Sequence, residues 1–144
     1  MDLKALKAGM CTDDLLKVYN CVIRPVFEYA VATYHPMLSI EMSNQIENAQ
    51  KRACKIVFGW DTSYETLVAE NRVERLEERR EKLVINFAKK TAEMKRFETW
   101  FPRRNYNGIS LRRENKFEEF YARTERYRKS PLFYMRRELN KNVD

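Results

Sequence analysis

Asp13 and Asp14 are the one adjacent pair of aspartates in the 144-residue chain. Paired aspartates are what two-metal phosphoryl chemistry needs. Their context, Cys11-Thr12-Asp13-Asp14-Leu15, opens an apolar-periodic run. A helix N-terminus therefore accounts for both carboxylates: acids meet the positive end of the dipole there, and Thr12 or Asp13 can cap. Cys11, Cys21 and Cys54 have no short paired spacing and His35 is the only histidine, so no zinc site is expected. The odd, unpaired cysteines point to a reducing compartment and read as small buried apolar residues. His35, beside Pro36, reads as structural. With no glycine-rich phosphate loop, Ser–His–Asp set or Cys–His pair, the sequence nominates no catalytic residue, metal ligand or cofactor.

Cations are the groups that remain. Lys and Arg number 28 against 21 Asp and Glu. Residues 1–100 hold 16 cations and 15 acids, whereas residues 101–144 hold 12 and 6. Nine of those 12 are Arg103, Arg104, Arg112, Arg113, Arg123, Arg126, Arg128, Arg136 and Arg137. Arginine suits bidentate phosphate contact better than lysine does. Tyr106, Phe117, Tyr121, Tyr127 and Tyr134 are interleaved with them, a pattern that suits stacking of unpaired bases. A solvated tail explains the charge equally well, and Phe117, Phe120 and Tyr121 have helical spacing that suits packing. Lys51, Arg52 and Lys55 form a second basic group, open to two readings: phosphate contact, or complement to a helix C-terminus.

These groups need helices to hold them. Gly is rare, 3 of 144 residues, which favours long helices over a many-stranded fold. Apolar residues from Leu15 to Tyr34 follow a helical period, with a kink or break expected at Pro25 and an end at His35-Pro36. A second helix is expected over 39–58, with Met42, Ile46, Ala49, Ala53 and Ile56 as its apolar stripe and Gly59 closing it. A third starts at Thr62, where Thr62 and Glu65 form a capping-box pattern. A fourth spans 73–96 with Leu76, Leu83, Phe87, Thr91 and Met94 on one side. Residues 102–108 read as loop, 114–128 as a short helix, and Ser130-Pro131 as a break or the cap of a last turn ending near Leu139. The longest uncharged run, residues 29–40, is too short to span a membrane, and the N-terminus lacks the apolar core of a signal peptide. The expectation is an intracellular, cytoplasmic or nuclear, all-α protein. It comprises a small helical bundle over residues 1–101 and a basic, partly extended C-terminal tail over 102–144.

Several ordered segments bear a family likeness. Leu15-Leu16-Lys17-Val18-Tyr19 with Ile23-Arg24-Pro25-Val26-Phe27-Glu28-Tyr29-Ala30 resembles the segment that follows the palm in non-LTR retrotransposon reverse transcriptases. Tyr34-His35-Pro36 stands where that family often has Trp-His-Pro. Ile46-Glu47-Asn48-Ala49-Gln50-Lys51-Arg52-Ala53, then Ile56-Val57-Phe58-Gly59, is similar to its next helix. Ser63-Tyr64-Glu65 and Leu76-Glu77-Glu78-Arg79-Arg80 follow in order. Residues 123–130 and Phe133-Tyr134-Met135 are similar to the family's C-terminal end. The resemblance covers about residues 8–140. It implies a thumb-like helical region and tail that grip template–primer RNA or DNA through phosphates, without the palm whose aspartates hold metal. The Asp13-Asp14 pair lacks the aromatic residue expected two positions before the polymerase pair. The rival readings are an assembly module, using apolar faces that would pack on a palm or on a second copy, and a nonfunctional remnant.

Overall fold

The computed structural model describes Lys7, residues 9–104 and residues 116–141. The chain is all-α. The described residues form helices joined by short breaks and contain no strand; one isolated antiparallel bridge joins Arg103 and Phe117. The order is α1 (Thr12–Val18), a π-helical turn (Tyr19–Ile23), α2 (Arg24–Glu28), α3 (Val31–Tyr34), a 3-10 turn (His35–Met37), α4 (Ile40–Phe58), α5 (Tyr64–Ala69), α6 (Leu76–Glu93), a 3-10 segment (Lys95–Trp100), α7 (Glu125–Arg128) and α8 (Pro131–Lys141). Two compact units result: Met1–Val31 with Leu38–Arg80, and Ala32–Met37 with Glu81–Asp144. The division falls inside α6, whereas composition suggests a boundary at residues 101/102.

In the first unit, Pro25 shapes the opening helix. Its ring crowds the carbonyl four residues back and it has no N–H to give. The chain widens before it, and the Arg24 N–H bonds to the Tyr19 carbonyl, five residues back. Pro25 then sits in the first turn of α2, where its missing donor costs nothing. The segment stops at Glu28, earlier than His35, because Tyr29 is extended and Ala30 is left-handed at φ 53°.

Ser39 caps α4, its hydroxyl accepting the Met42 N–H at 3.1 Å, and Gly59 at φ 105° ends it. The buried positions of α4 are Gln50, Ala53, Cys54 and Val57. The expected stripe is therefore rotated: Met42 is exposed, and Gln50 lies on the inner face. Leu15, Tyr19, Ala53 and Val57 form one core cluster, with Ile23, Ile56 and Phe58 packed on it. Cys54, Tyr64, Leu67 and Val73 form another. The N-cap of α5 is Ser63; the Thr62 hydroxyl instead donates to the Phe58 carbonyl at 3.4 Å. On α6 the buried line is Leu76, Arg80, Val84, Ala88 and Thr91, while Phe87 and Met94 are exposed.

In the second unit, residues 116–124 are not the helix their aromatic spacing suggests. The Arg104 N–H donates to the Lys116 carbonyl at 3.2 Å, and the Glu118 N–H to the Pro102 carbonyl at 2.9 Å. The Asn140 side chain clamps Phe117, accepting its N–H at 3.0 Å and donating to its carbonyl at 3.1 Å. Helix resumes at Glu125, where Thr124 caps α7. Phe101, Phe117, Ala122, Met135 and Leu139 are buried, and the rings of Phe101 and Phe117 meet edge to face at 5.8 Å. His35 lies edge-on to Tyr134 at 5.8 Å, a packing role.

Candidate nucleic-acid interface

Lys51, Arg52 and Lys55 follow from α4's register. With Gln50, Cys54 and Val57 turned inward, these cations are carried to an open cleft of about 600 Å³, whose walls also include Asn48, Trp60, Asp61 and Tyr64. Two aromatic rings hold the lysines: the Lys51 ammonium lies 5.4 Å from the Tyr64 ring centre and that of Lys55 lies 5.4 Å from Trp60. Arg52 is exposed, and among the described residues no carboxylate pairs with any of the three. Glu65 also lines the cleft, but its charge is taken by Arg75 at 2.5 Å.

The second unit sorts the C-terminal arginines. Arg103, Arg104, Arg123, Arg126 and Arg128 are exposed. Arg128 and Lys129 share Glu125 at 3.4 and 3.7 Å. Arg137 is half-buried, 3.4 Å from Glu138 and stacked on Tyr134. Arg136 is not a surface cation. It is buried, its Nε donates to the Trp100 carbonyl at 2.6 Å, and its guanidinium stacks on Phe120 at 4.4 Å. Burial holds its pKa below the usual value. Arg112, Arg113 and Tyr106 lie outside the described residues. Of the candidate stacking rings, Phe117 is buried and Tyr134 half-buried, whereas Tyr121 and Tyr127 are exposed.

Gln50 ties the interior of the first unit together. Gln50 accepts from the Tyr19 hydroxyl at 2.5 Å and donates to the Tyr64 hydroxyl and the Glu74 carbonyl, both at 2.8 Å. The Tyr64 hydroxyl donates to Glu47. Burial raises the pKa of both phenols, keeping them protonated donors. Glu28 is paired with Arg79, and with Arg24 at 3.2 Å; its hydrogen bond raises the Arg79 pKa. Arg80 is buried and bonds Ser43 at 2.7 Å, while its Nε and Nη1 have no partner among the described residues. Periodicity misses Gln50 and Arg80 because both count as polar, although Gln50, Ala53, Cys54 and Val57 are spaced like any buried helical face.

Asp13 and Asp14 lie in the first turn of α1, but the N-cap is Cys11 and neither Thr12 nor Asp13. Asp14 is tied to Lys17 at 2.9 Å, which lowers its pKa. Among the described residues no group of three His, Cys, Asp or Glu could hold a metal ion. Cys54 is buried, as expected, but Cys11 and Cys21 are exposed. Among the described residues no helix is long and apolar enough to cross a membrane. No protein family, curated protein or solved structure matches this chain.

Proposed function

We propose that this chain is a nonenzymatic, intracellular nucleic-acid-binding module of the kind that follows the palm in non-LTR reverse transcriptases, holding RNA or DNA through phosphates. The observation that carries the reading is segregation of charge. The sequence of the second unit holds 17 Lys and Arg against 9 Asp and Glu, a net of +8, while that of the first holds 11 against 12, a net of −1. Arg103, Arg123 and Arg126 are exposed and form no ion pair among the described residues, as a polyanion-binding surface requires. The basic cleft on α4 adds a second contact. The nonenzymatic part rests on Asp13 and Asp14 serving a helix terminus. Mobility shifts of single-stranded and duplex RNA over a salt titration test the reading. Affinity should fall with a log–log slope of about −0.7 to −0.9 per phosphate contact; no binding at low salt, or binding indifferent to salt, sinks it. Primer extension with Mg²⁺ or Mn²⁺ should yield no product.

One observation favours a second reading, an assembly module. Val26 and Tyr29 in the first unit are 72% and 82% exposed, and Ile40 is 84% exposed. Such apolar side chains suit packing on a polymerase palm or on a second copy. Light scattering decides self-association: a dimer that Val26→Lys dissociates supports it, and a monomer at high concentration removes it.

A further inference from the structure

Trp60 is 72% exposed on the turn after α4. The turn is built to hold it there: Gly59 takes φ 105°, closes α4 through its N–H to the Lys55 carbonyl at 3.1 Å, and sends the chain outward. The Thr62 hydroxyl ties the turn back to Phe58. Lys55 lies over the indole at 5.4 Å, yet most of the ring surface remains open to solvent. Arg52 and Lys51 share the cleft with it. Its volume, about 600 Å³, falls within the roughly 300–1,000 Å³ of small-ligand sites.

From this juxtaposition we infer that the cleft is a seat for one unpaired nucleotide: Trp60 stacks the base, while Arg52 and the two lysines hold the flanking phosphates. The inference rests on the nucleic-acid reading above and adds a preference to it. A phosphate track alone does not distinguish single strands from duplex, because it contacts only backbone. An indole face does, because base faces in a duplex are already stacked. The Lys55 ammonium beside the ring also attracts the phosphates that flank the stacked base. Asp61 lines the same cleft and forms no ion pair among the described residues, so its carboxylate repels the phosphates and sets a ceiling on affinity.

The test uses the full chain with Trp100→Phe, so that emission reports Trp60 alone. An unlabelled oligothymidylate and a blunt duplex are the probes, at one fixed moderate salt concentration. The oligothymidylate should quench Trp60 and the duplex should not. Read by mobility shift, Trp60→Ala should weaken single-strand binding by about tenfold, within the range for one lost stacking contact, weaken duplex binding less, and leave thermal melting unchanged. Trp60→Phe should retain most of the affinity, and Asp61→Asn should tighten it. Binding of both probes without quenching, or with Trp60→Ala indistinguishable from the parent, overturns the seat and leaves the nucleic-acid reading standing. Equal quenching by polyglutamate also overturns it, since the cleft would then read charge alone. Failure to bind either probe overturns the seat, and failure that persists at low salt overturns the nucleic-acid reading as well.

Discussion

Gln50 uses both ends of its amide inside the first unit, accepting from Tyr19 and donating to Tyr64 and the Glu74 carbonyl. Gln50→Leu keeps the volume but strands the Tyr19 hydroxyl and takes a donor from the Glu74 carbonyl, so it should cost about 2–4 kcal/mol in urea unfolding. Arg80 is the contrasting case. It is equally buried, but two of its nitrogens have no partner among the described residues. A charge so placed carries a desolvation cost that one bond to Ser43 does not offset. Arg80→Met should therefore be neutral or stabilising, to within about 1 kcal/mol; a loss as large as that of Gln50→Leu would show that the guanidinium is satisfied. The same interior sets a pH response. Burial, then the nearby Glu47 charge, pushes the Cys54 thiol up from 9.0 to about 11, and burial raises the Tyr19 and Tyr64 phenols from 10.0. Each folded pKa lies above its unfolded value, so the native state keeps protons that the unfolded chain releases. Stability is fully present below about pH 9 and is lost as pH rises through the folded values. Melting temperature should hold up to about pH 9 and fall above it, more shallowly in Cys54→Ala. A melting temperature that rises over that range refutes the assignment.

At the scale of elements, two backbone positions carry opposite predictions. Gly59 stands at φ 105° and ψ 164°, a region other residues rarely enter, with nothing beyond its chain neighbours within 4 Å of where a Cβ would sit, so Gly59→Ala costs conformation alone, about 1–3 kcal/mol. Ala30 stands at φ 53°, a left-handed residue without glycine's freedom, and Ala30→Gly should stabilise by about 0.5 kcal/mol. Denaturant midpoints of the two variants should move in opposite directions. The pair also shows what sequence reveals. Ser39 and Gly59 mark the ends of α4 because hydroxyl capping and glycine closure have residue signatures. The break at Ala30 has none, since left-handed alanine looks like any alanine, and the first helix was accordingly expected to reach His35. Hydrophobic patterning puts the inner faces of α4 and α6 about one position off because it counts Gln50 and Arg80 as polar, although both are buried. Phe117, Phe120 and Tyr121 have helical spacing, yet Phe117 is held extended by Asn140, 23 residues away, a partner no local pattern indicates. The Lys51–Lys55 group was legible as charge. Trp60 was not, because a single aromatic after a glycine has no period, and only the turn shows that it faces the same cleft.

For the whole molecule, the question is where polyanion affinity resides. The nine C-terminal arginines all fall within residues 103–137, and the obvious test is a cut after Phe101. The second unit makes that cut uninformative. Phe101 packs on Phe117, and the Trp100 carbonyl is held by Arg136, so truncation removes the interior of the unit together with its charge. Neutralising exposed side chains separates the two. Arg103, Arg123, Arg126 and Arg128 changed together to Gln remove four charges without touching a buried contact; among the described residues the ion pair lost is Arg128 with Glu125, both exposed, and such pairs contribute little. The melting temperature should stay within about 2 °C, because surface changes of this kind stay within about 0.5 kcal/mol. The salt slope on duplex DNA should shrink by about 0.9 for each of the four that meets a phosphate. Arg136→Gln is the converse control. It leaves those four arginines in place but disturbs the bond to the Trp100 carbonyl and the stack on Phe120, so it should lower stability by about 2 kcal/mol while the folded protein keeps its slope. If the fourfold variant binds with the parent's affinity and slope, these four arginines do not meet phosphate, and the α4 cleft of the first unit becomes the next place to neutralise.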